Sequence, residues 1–274
     1  MMSEPFVLKK KQYFEINCWQ SAWPGLVVGF TTKNGGSGKA EYESLNTGFH
    51  VGDKLEDVVR NRELIADQLK FPLSCWVGAE QTHETNIVKI DAGEKGKGAR
   101  DYGSGLRATD GFYTDQKGIL LTLCYADCVP LYFMAPRLGY IGAAHAGWKG
   151  TVGGIGRKMI ERWNDEGIPS SEIYAVIGPS ICKNCYIVDN KVITLVQNML
   201  EENDEKPYTL ISEGQYQLNL KKMNALLIER AGVPENQIEV SSLCTSCENE
   251  QFFSHRRDKG KTGRELSFIG WKED

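Results

Sequence analysis

Apolar residues along this 274-residue chain fall into short runs separated by polar, glycine-bearing stretches. LVVGFTT (26–32), ILLTLC (119–124), PLYFMA (130–135), YIGAAH (140–145) and IYAVIGP (173–179) are such runs. Their length and apolar, partly β-branched content predict buried strands. Further strands are predicted at SCWVGA (74–79), NIVKI (86–90), IEVSS (238–242) and ELSFIG (265–270). A helical face is carried by Leu55, Val58, Val59, Ile65 and Leu69. Asp53 followed by Glu56 reads as its capping signal, and Phe71-Pro72 should end it. A second helix is expected to start between Thr151 and Gly154 and to stop at Gly167. Two more are predicted at 189–203 and 219–231, the latter capped by Asn219. Residues 1–25, mixing aromatic and basic groups, read as an N-terminal arm or edge segment. The glycine-rich stretches 33–53 and 91–110 read as loops, the first open enough for backbone to approach a ligand. Strands interleaved with helices predict α/β or α+β, with one domain over 1–274 and no internal repeat.

Composition narrows the class. With 32 Lys and Arg against 36 Asp and Glu, the net charge is −4, so there is no electrostatic reason to expect a nucleic-acid partner. No apolar run of about 18 residues or signal-peptide pattern occurs, which predicts a cytoplasmic protein without a membrane partner. Eight cysteines without a secretion signal point to free thiols or metal ligands rather than disulfides.

The chemistry-bearing residues cluster around strand ends. Cys128 and His145 each stand where a predicted strand meets a turn, and His83 lies between two short strands. Two imidazoles and a thiolate make a three-donor zinc set with a fourth position open. The same atoms suit a cysteine-dependent hydrolase, with Cys128 attacking, His83 or His145 as base and Asp127 as orienter. A carboxylate next to Cys128 in a strand would point to the opposite face, which weakens that role. A buried thiol with hydrogen-bonded histidines is the structural alternative, and a non-catalytic nucleotide- or phosphate-binding module is a further reading. Cys182-x-x-Cys185 and Cys244-x-x-Cys247 are two thiol pairs that suit structural zinc, a redox couple or plain structural thiols. Arg256, Arg257, Lys259, Lys261 and Arg264 form a basic run, carrying His255 at its start, suited to phosphate or to a solvated loop. The helix beginning after Trp148-Lys149-Gly150 offers a second anion site. Neither GxGxxG nor GxxxxGK[ST] precedes a suitable helix.

Taken together, QTH (81–83), ADCVP (126–130), AAHAGWKG (143–150) and IGPSICKNCYIV (177–188) resemble the laccase-domain, or polyphenol-oxidase-like, proteins. That family is also described as purine nucleoside phosphorylases. The likeness runs from Val28 to Trp271 and includes Gly35-Gly36, SLNTGFHVGD (44–53) and SHRRDKGKTGR (254–264). It implies an α+β fold, a mixed β-sheet core flanked by helices, distinct from cupredoxin and Rossmann folds. It also implies zinc held by His83, Cys128 and His145, with phosphate as co-substrate. The implied activities are phosphorolysis of adenosine, inosine, guanosine and methylthioadenosine, and deamination of adenosine. Lys33, Asn46, Lys149, Arg257 and Arg264 become the phosphate or substrate candidates. Copper-dependent phenol oxidation belongs to the family's older description, but four histidines are too few for the copper centres of a true laccase. Lys33 stands where arginine is frequent in the pattern. Cys182 and Cys247 are less typical of it than Cys185 and Cys244.

Overall fold

The computed structural model describes residues 4–273; residues 1–3 of the N-terminal segment and the final residue of the 1–274 span lie outside the described residues. In chain order the first elements are β1 (Phe6–Lys10), β2 (Tyr13–Ile16), α1 (Asn17–Ala22), β3 (Leu26–Thr31), α2 (Leu55–Leu69), β4 (Trp76–Val77) and β5 (Ile87–Lys89). Next come β6 (Gly111–Thr114), β7 (Ile119–Tyr125), β8 (Val129–Ala135), β9 (Tyr140–Ala146), α3 (Trp148–Val152) and α4 (Ile155–Asp165). The chain continues with β10 (Tyr174–Ile177), β11 (Ile187–Val188), α5 (Asn190–Gln197), β12 (Tyr208–Ser212) and β13 (Gln215–Leu218). It closes with α6 (Leu220–Arg230), β14 (Ile238–Val240) and β15 (Glu265–Trp271).

The strands build two six-stranded sheets, ordered β1-β2-β3-β15-β7-β4 and β14-β10-β8-β9-β6-β5, and a small sheet β11-β13-β12. Both large sheets mix pairings: β4–β7, β5–β6 and β10–β14 are parallel, while β15–β7 and β8–β9 are antiparallel. Their inner faces meet in an apolar layer that includes Val28, Phe30, Leu121 and Leu123 from the first sheet and Phe112, Tyr132, Met134 and Ile141 from the second. The Tyr132 hydroxyl satisfies its polarity across this layer by donating to the Gly29 carbonyl at 2.8 Å. On the outer face of the second sheet, Met159, Ile160 and Trp163 of α4 and Met223, Leu227 and Ile228 of α6 cover Leu131, Phe133 and Ala144. On the outer face of the first, Ile65 and Leu69 of α2 cover Val27, Leu120 and Phe268. The result is an α+β fold whose mixed sheets are flanked by helices. Strands buried on both faces explain why β7 and β8 read as continuous apolar runs rather than alternating ones.

Several expectations change. Asp53 does not cap α2: the N-cap is Lys54, which lacks a side-chain cap bond. Asp53 accepts from the Lys54 N–H and the Asn46 amide instead. Lys70 ends that helix in a left-handed conformation, φ 54°, two residues ahead of Pro72. The helix expected to start between Thr151 and Gly154 is α4, with Gly154 as its N-cap, and the short α3 ahead of it was not predicted; the Gly154 φ of 72° cannot continue a right-handed helix and separates the two. The 189–203 helix stops at Gln197, and the chain then forms the β12–β13 hairpin, a largely exposed pair of strands that was not predicted. The 91–110 stretch is not wholly surface: Ala99, Thr109 and Asp110 are buried. Asn219 caps α6 as expected, accepting from the Lys222 N–H at 3.0 Å.

Candidate active site

One edge of the second sheet gathers the chemistry. β9 is antiparallel to both β8 and β6, and β5 is parallel to β6. The starts of β8, β6 and β5 and the end of β9 therefore share that edge. Cys128 immediately precedes β8, His145 is the penultimate residue of β9, Asp110 immediately precedes β6, and His83 lies just before β5. In sequence these positions are scattered; strand order makes them neighbours. Tyr125, ending β7 of the first sheet, closes over the group with its ring centroid 5.4 Å from that of His145.

Asp110 organises this edge. Its carboxylate accepts from three consecutive backbone N–H groups, those of Thr82, His83 and Glu84, each at 3.0 Å, and from the Thr82 hydroxyl. The same carboxylate lies 2.8 Å from His145 Nδ1, and the Asp110 carbonyl accepts from the His145 N–H at 2.7 Å. One buried side chain thus holds the His83 loop and the His145 ring together. His83 adopts a left-handed φ of 62° within that loop, a conformation that is uncommon for a non-glycine residue and is here locked by the bonded N–H groups on either side. Burial alone would raise the Asp110 pKa, but the bonds from His145 and from the Glu84 and Thr82 backbone keep its carboxyl below the usual range.

The donor atoms of His83, Cys128 and His145 all lie within 4.8 Å of one another. The two imidazole rings meet edge to face, with centroids 4.7 Å apart. Burial would push the Cys128 thiol up, yet His145 and His83 beside it bring it down to about 6. Burial would lower His145, but the Cys128 sulfur and Asp110 raise it to about 9. The pair therefore favours thiolate and imidazolium, charges that a bound cation would reorganise. With Nδ1 held by Asp110, Nε2 is the His145 nitrogen left for a metal. Two nitrogens and one thiolate suit borderline-soft zinc and leave room for a fourth ligand. Gly147 completes the cradle: a Cβ there would sit 3.0 Å from Cys128 Sγ and 3.2 Å from His83 Cδ2.

A cavity of about 400 Å³ opens above these donors. Tyr125, Trp148, Ile181, Tyr186 and Leu220 supply apolar and aromatic wall, and His50, Gln81, His255, Arg256 and Arg264 supply polar groups. The basic run is thereby divided. Arg256 lies over the Tyr186 ring at 5.0 Å, and Arg264 faces the same space. Arg257 turns away, with its five donor contacts spent on Asp258 and the carbonyls of Phe252, Thr245 and Ser246. Lys33 lines a different cleft, shared with Arg257 and Lys261. Asn46 is fully buried and occupied by Gly48, Asp53 and the Arg264 N–H. Lys149 is exposed, its ammonium 5.8 Å from the Trp148 ring. It stands on the five-residue α3, too short for a strong helix-terminus anion site. Asp127, with φ 82°, turns its carboxylate to Thr245, Ser254 and the Arg256 N–H, so Asp110 rather than Asp127 orients a histidine. Nothing in the sequence distinguished Asp110, and His50 carried no signal beyond its place in SLNTGFHVGD. Cys182, Cys185, Cys244 and Cys247 converge at a second position. Among the described residues no helix is long and apolar enough to cross a membrane.

A family model described as "Multi-copper polyphenol oxidoreductase laccase" matches residues 27–272. The purine nucleoside phosphorylase YlmD of Bacillus subtilis is 51% identical over 249 residues, covering 90% of this chain and 89% of its own. The crystal structure of YlmD from Geobacillus stearothermophilus superposes with a TM-score of 0.96 at 46% identity, covering 99% of this chain and 100% of that one. A Bacillus licheniformis protein, YfiH, gives 0.95 at 49% identity, with 98% and 100% covered. These findings correct the laccase-domain, polyphenol-oxidase-like assignment drawn from the motifs. Among the described residues neither large sheet closes into the barrel of a cupredoxin, and the YlmD proteins of Bacillus subtilis and Geobacillus stearothermophilus are named purine nucleoside phosphorylases. The copper-oxidase wording survives only as the description of the matching model. By sequence and by fold, the chain belongs to the purine nucleoside phosphorylase family that includes YlmD.

Proposed function

We propose that this protein cleaves purine nucleosides with phosphate at the His83–Cys128–His145 edge, with zinc as the resident metal and adenosine deamination as an accompanying activity. Adenosine, inosine, guanosine and methylthioadenosine are the proposed substrates. The observation that carries this reading is the Asp110-anchored donor cluster at the floor of a cavity with arginines on its wall. The phosphorylase names of the relatives supply the reaction class.

His83, Cys128 and His145 would hold the zinc, which when bound supplies Lewis-acid polarisation at the cavity floor. The chain's own groups do the rest. Trp148 and Tyr186 offer aromatic surface to a purine ring, and Ile181 and Leu220 exclude water beside it. Among the described residues, Arg264 commits Nη1 to the Thr262 and Gly263 carbonyls and Arg256 commits Nη1 to Ile187, which leaves Nε and Nη2 of each for phosphate. Phosphate held there attacks the anomeric carbon as the purine departs. The imidazoles of His50 and His255 face the same cavity and are the groups placed to exchange protons with the leaving base. As the proposed phosphate residues, Arg264 is thus kept from the sequence candidates and Arg256 takes the place of Arg257.

Product analysis tests the reading. Zinc-loaded protein and adenosine should yield adenine and ribose 1-phosphate only when phosphate is present, and inosine would report deamination. Absence of all three products from a zinc-replete preparation would sink the proposal. If activity survives Cys128→Ala together with loss of metal, the cluster is not the reacting site.

A further inference from the structure

We infer that Cys182, Cys185, Cys244 and Cys247 form a second, closed zinc site that is structural and braces one wall of the cavity. The four sulfurs lie within 4.8 Å of one another. Cys185 and Cys247 are 3.4 Å apart and Cys182 and Cys247 3.9 Å, with all four thiols free rather than bridged. A zinc–thiolate bond of about 2.3 Å in a tetrahedron places sulfurs about 3.8 Å apart, between the two separations observed here. A disulfide requires sulfurs at about 2.0 Å, so the cluster has the spacing of ligands around an ion.

The backbone is arranged for thiolates as well. Cys244 Sγ accepts the N–H of Cys247 at 3.4 Å, closing the turn of its own CxxC, and the N–H of Cys182 at 3.2 Å from the other pair. Such N–H groups compensate negative charge on sulfur. The buried Lys221 ammonium is fixed nearby by the carbonyls of Ser241 and Leu243, in the loop that carries Cys244. It supplies positive charge beside four thiolates whose sum exceeds that of one divalent ion. Four protein donors leave no open position, which is the mark of a structural rather than a catalytic ion.

The site joins two loops that follow the parallel neighbours β10 and β14. Both loops bear on the cavity. Ile181 donates its N–H to the Asp127 carbonyl, Thr245 donates its hydroxyl to the Asp127 carboxylate, and Tyr186 follows Cys185 directly. An ion linking the loops would fix Ile181 and Tyr186 without touching substrate. This inference does not depend on the reaction proposed above.

The experiment counts metal in the reduced, zinc-loaded full-length chain. Two zinc ions per chain are expected for the natural sequence. Cys128→Ala should keep one, and Cys185→Ser/Cys247→Ser should also keep one while melting at lower temperature. Should the double variant fail to fold, alkylation of the natural chain decides the matter. The four thiols should be protected in the zinc-loaded form and become reactive after chelation. A metal-free Cys128→Ala chain overturns the inference, as do equal alkylation rates with and without zinc, or a disulfide within the cluster.

Discussion

His145 Nδ1 lies 2.8 Å from Asp110 Oδ1, and both side chains are closed to solvent. The contact fixes the ring's tautomer and aim, while the same carboxylate gathers the N–H groups of the His83 loop. Asp110→Asn keeps the size but loses the charge, and is expected to weaken zinc retention by about 10- to 100-fold. Competition with a graded chelator measures this. Unchanged retention would reduce Asp110 to a loop brace.

Gly147 has an ordinary backbone conformation, φ −68° and ψ 179°, so Gly147→Ala strains no dihedral. Its methyl would instead press on Cys128 Sγ and His83 Cδ2. Metal sites tolerate ligand displacements of only about 0.2 Å. Zinc occupancy and turnover should fall together while the melting temperature of the metal-stripped chain stays near that of the natural one. Full occupancy in this variant would show that the donors can move aside.

Arg264 and Arg257 provide a matched contrast. Arg264→Ala should raise the phosphate KM by about tenfold or more, the scale of a lost charged hydrogen bond, with little change in the nucleoside KM. Arg257→Ala leaves the Thr245 and Phe252 carbonyls and Asp258 without their guanidinium. It should cost about 1–3 kcal/mol of stability and leave the phosphate KM near its natural value. Steady-state kinetics with phosphate varied, alongside denaturant unfolding, separate the two. The opposite pattern would return Arg257 to the phosphate site.

Glu265 is fully buried at the start of β15 and accepts from the Phe253 N–H through Oε1, while Oε2 has no hydrogen-bond partner. Burial holds its carboxyl well above the ordinary value. The folded chain therefore keeps a proton that the unfolded chain releases. This contribution to stability is complete below the unfolded pKa and is lost as pH rises through the folded one. Glu265→Gln is neutral throughout, so it should match the natural chain at about pH 4, below the unfolded carboxyl's titration, and exceed it at about pH 9. Each tenfold difference in proton affinity is worth about 1.4 kcal/mol. Urea unfolding at the two pH values checks the sign, and equal stabilities at the higher value would count against a neutral Glu265.

Legibility followed the strength of local patterning. β3, β7, β8 and β9 were readable because strands buried on both faces demand largely apolar runs, and β15 because Leu266, Phe268 and Ile269 carry its apolar content. α6 and its Asn219 cap were readable because an amphipathic face and a capping side chain are local signals. The β12–β13 hairpin was not, since its exposed residues carry no burial pattern. The short α3 was not either, because five residues are too few to display a helical period.

The sequence by itself determined the element types in the buried sheets and the supply of scarce donors: four histidines and eight cysteines, several standing beside predicted turns. Only the tertiary structure decided which of these meet. Strand order brought Cys128, His145, Asp110 and His83 to one sheet edge, and selected Asp110 from 36 acidic residues that look alike in sequence. It also turned Arg257 and Asn46 inward while leaving Arg264 toward the cavity. Elements form from contacts near in sequence, whereas a site of this kind forms from strand pairings across dozens of residues, whose register no local pattern encodes.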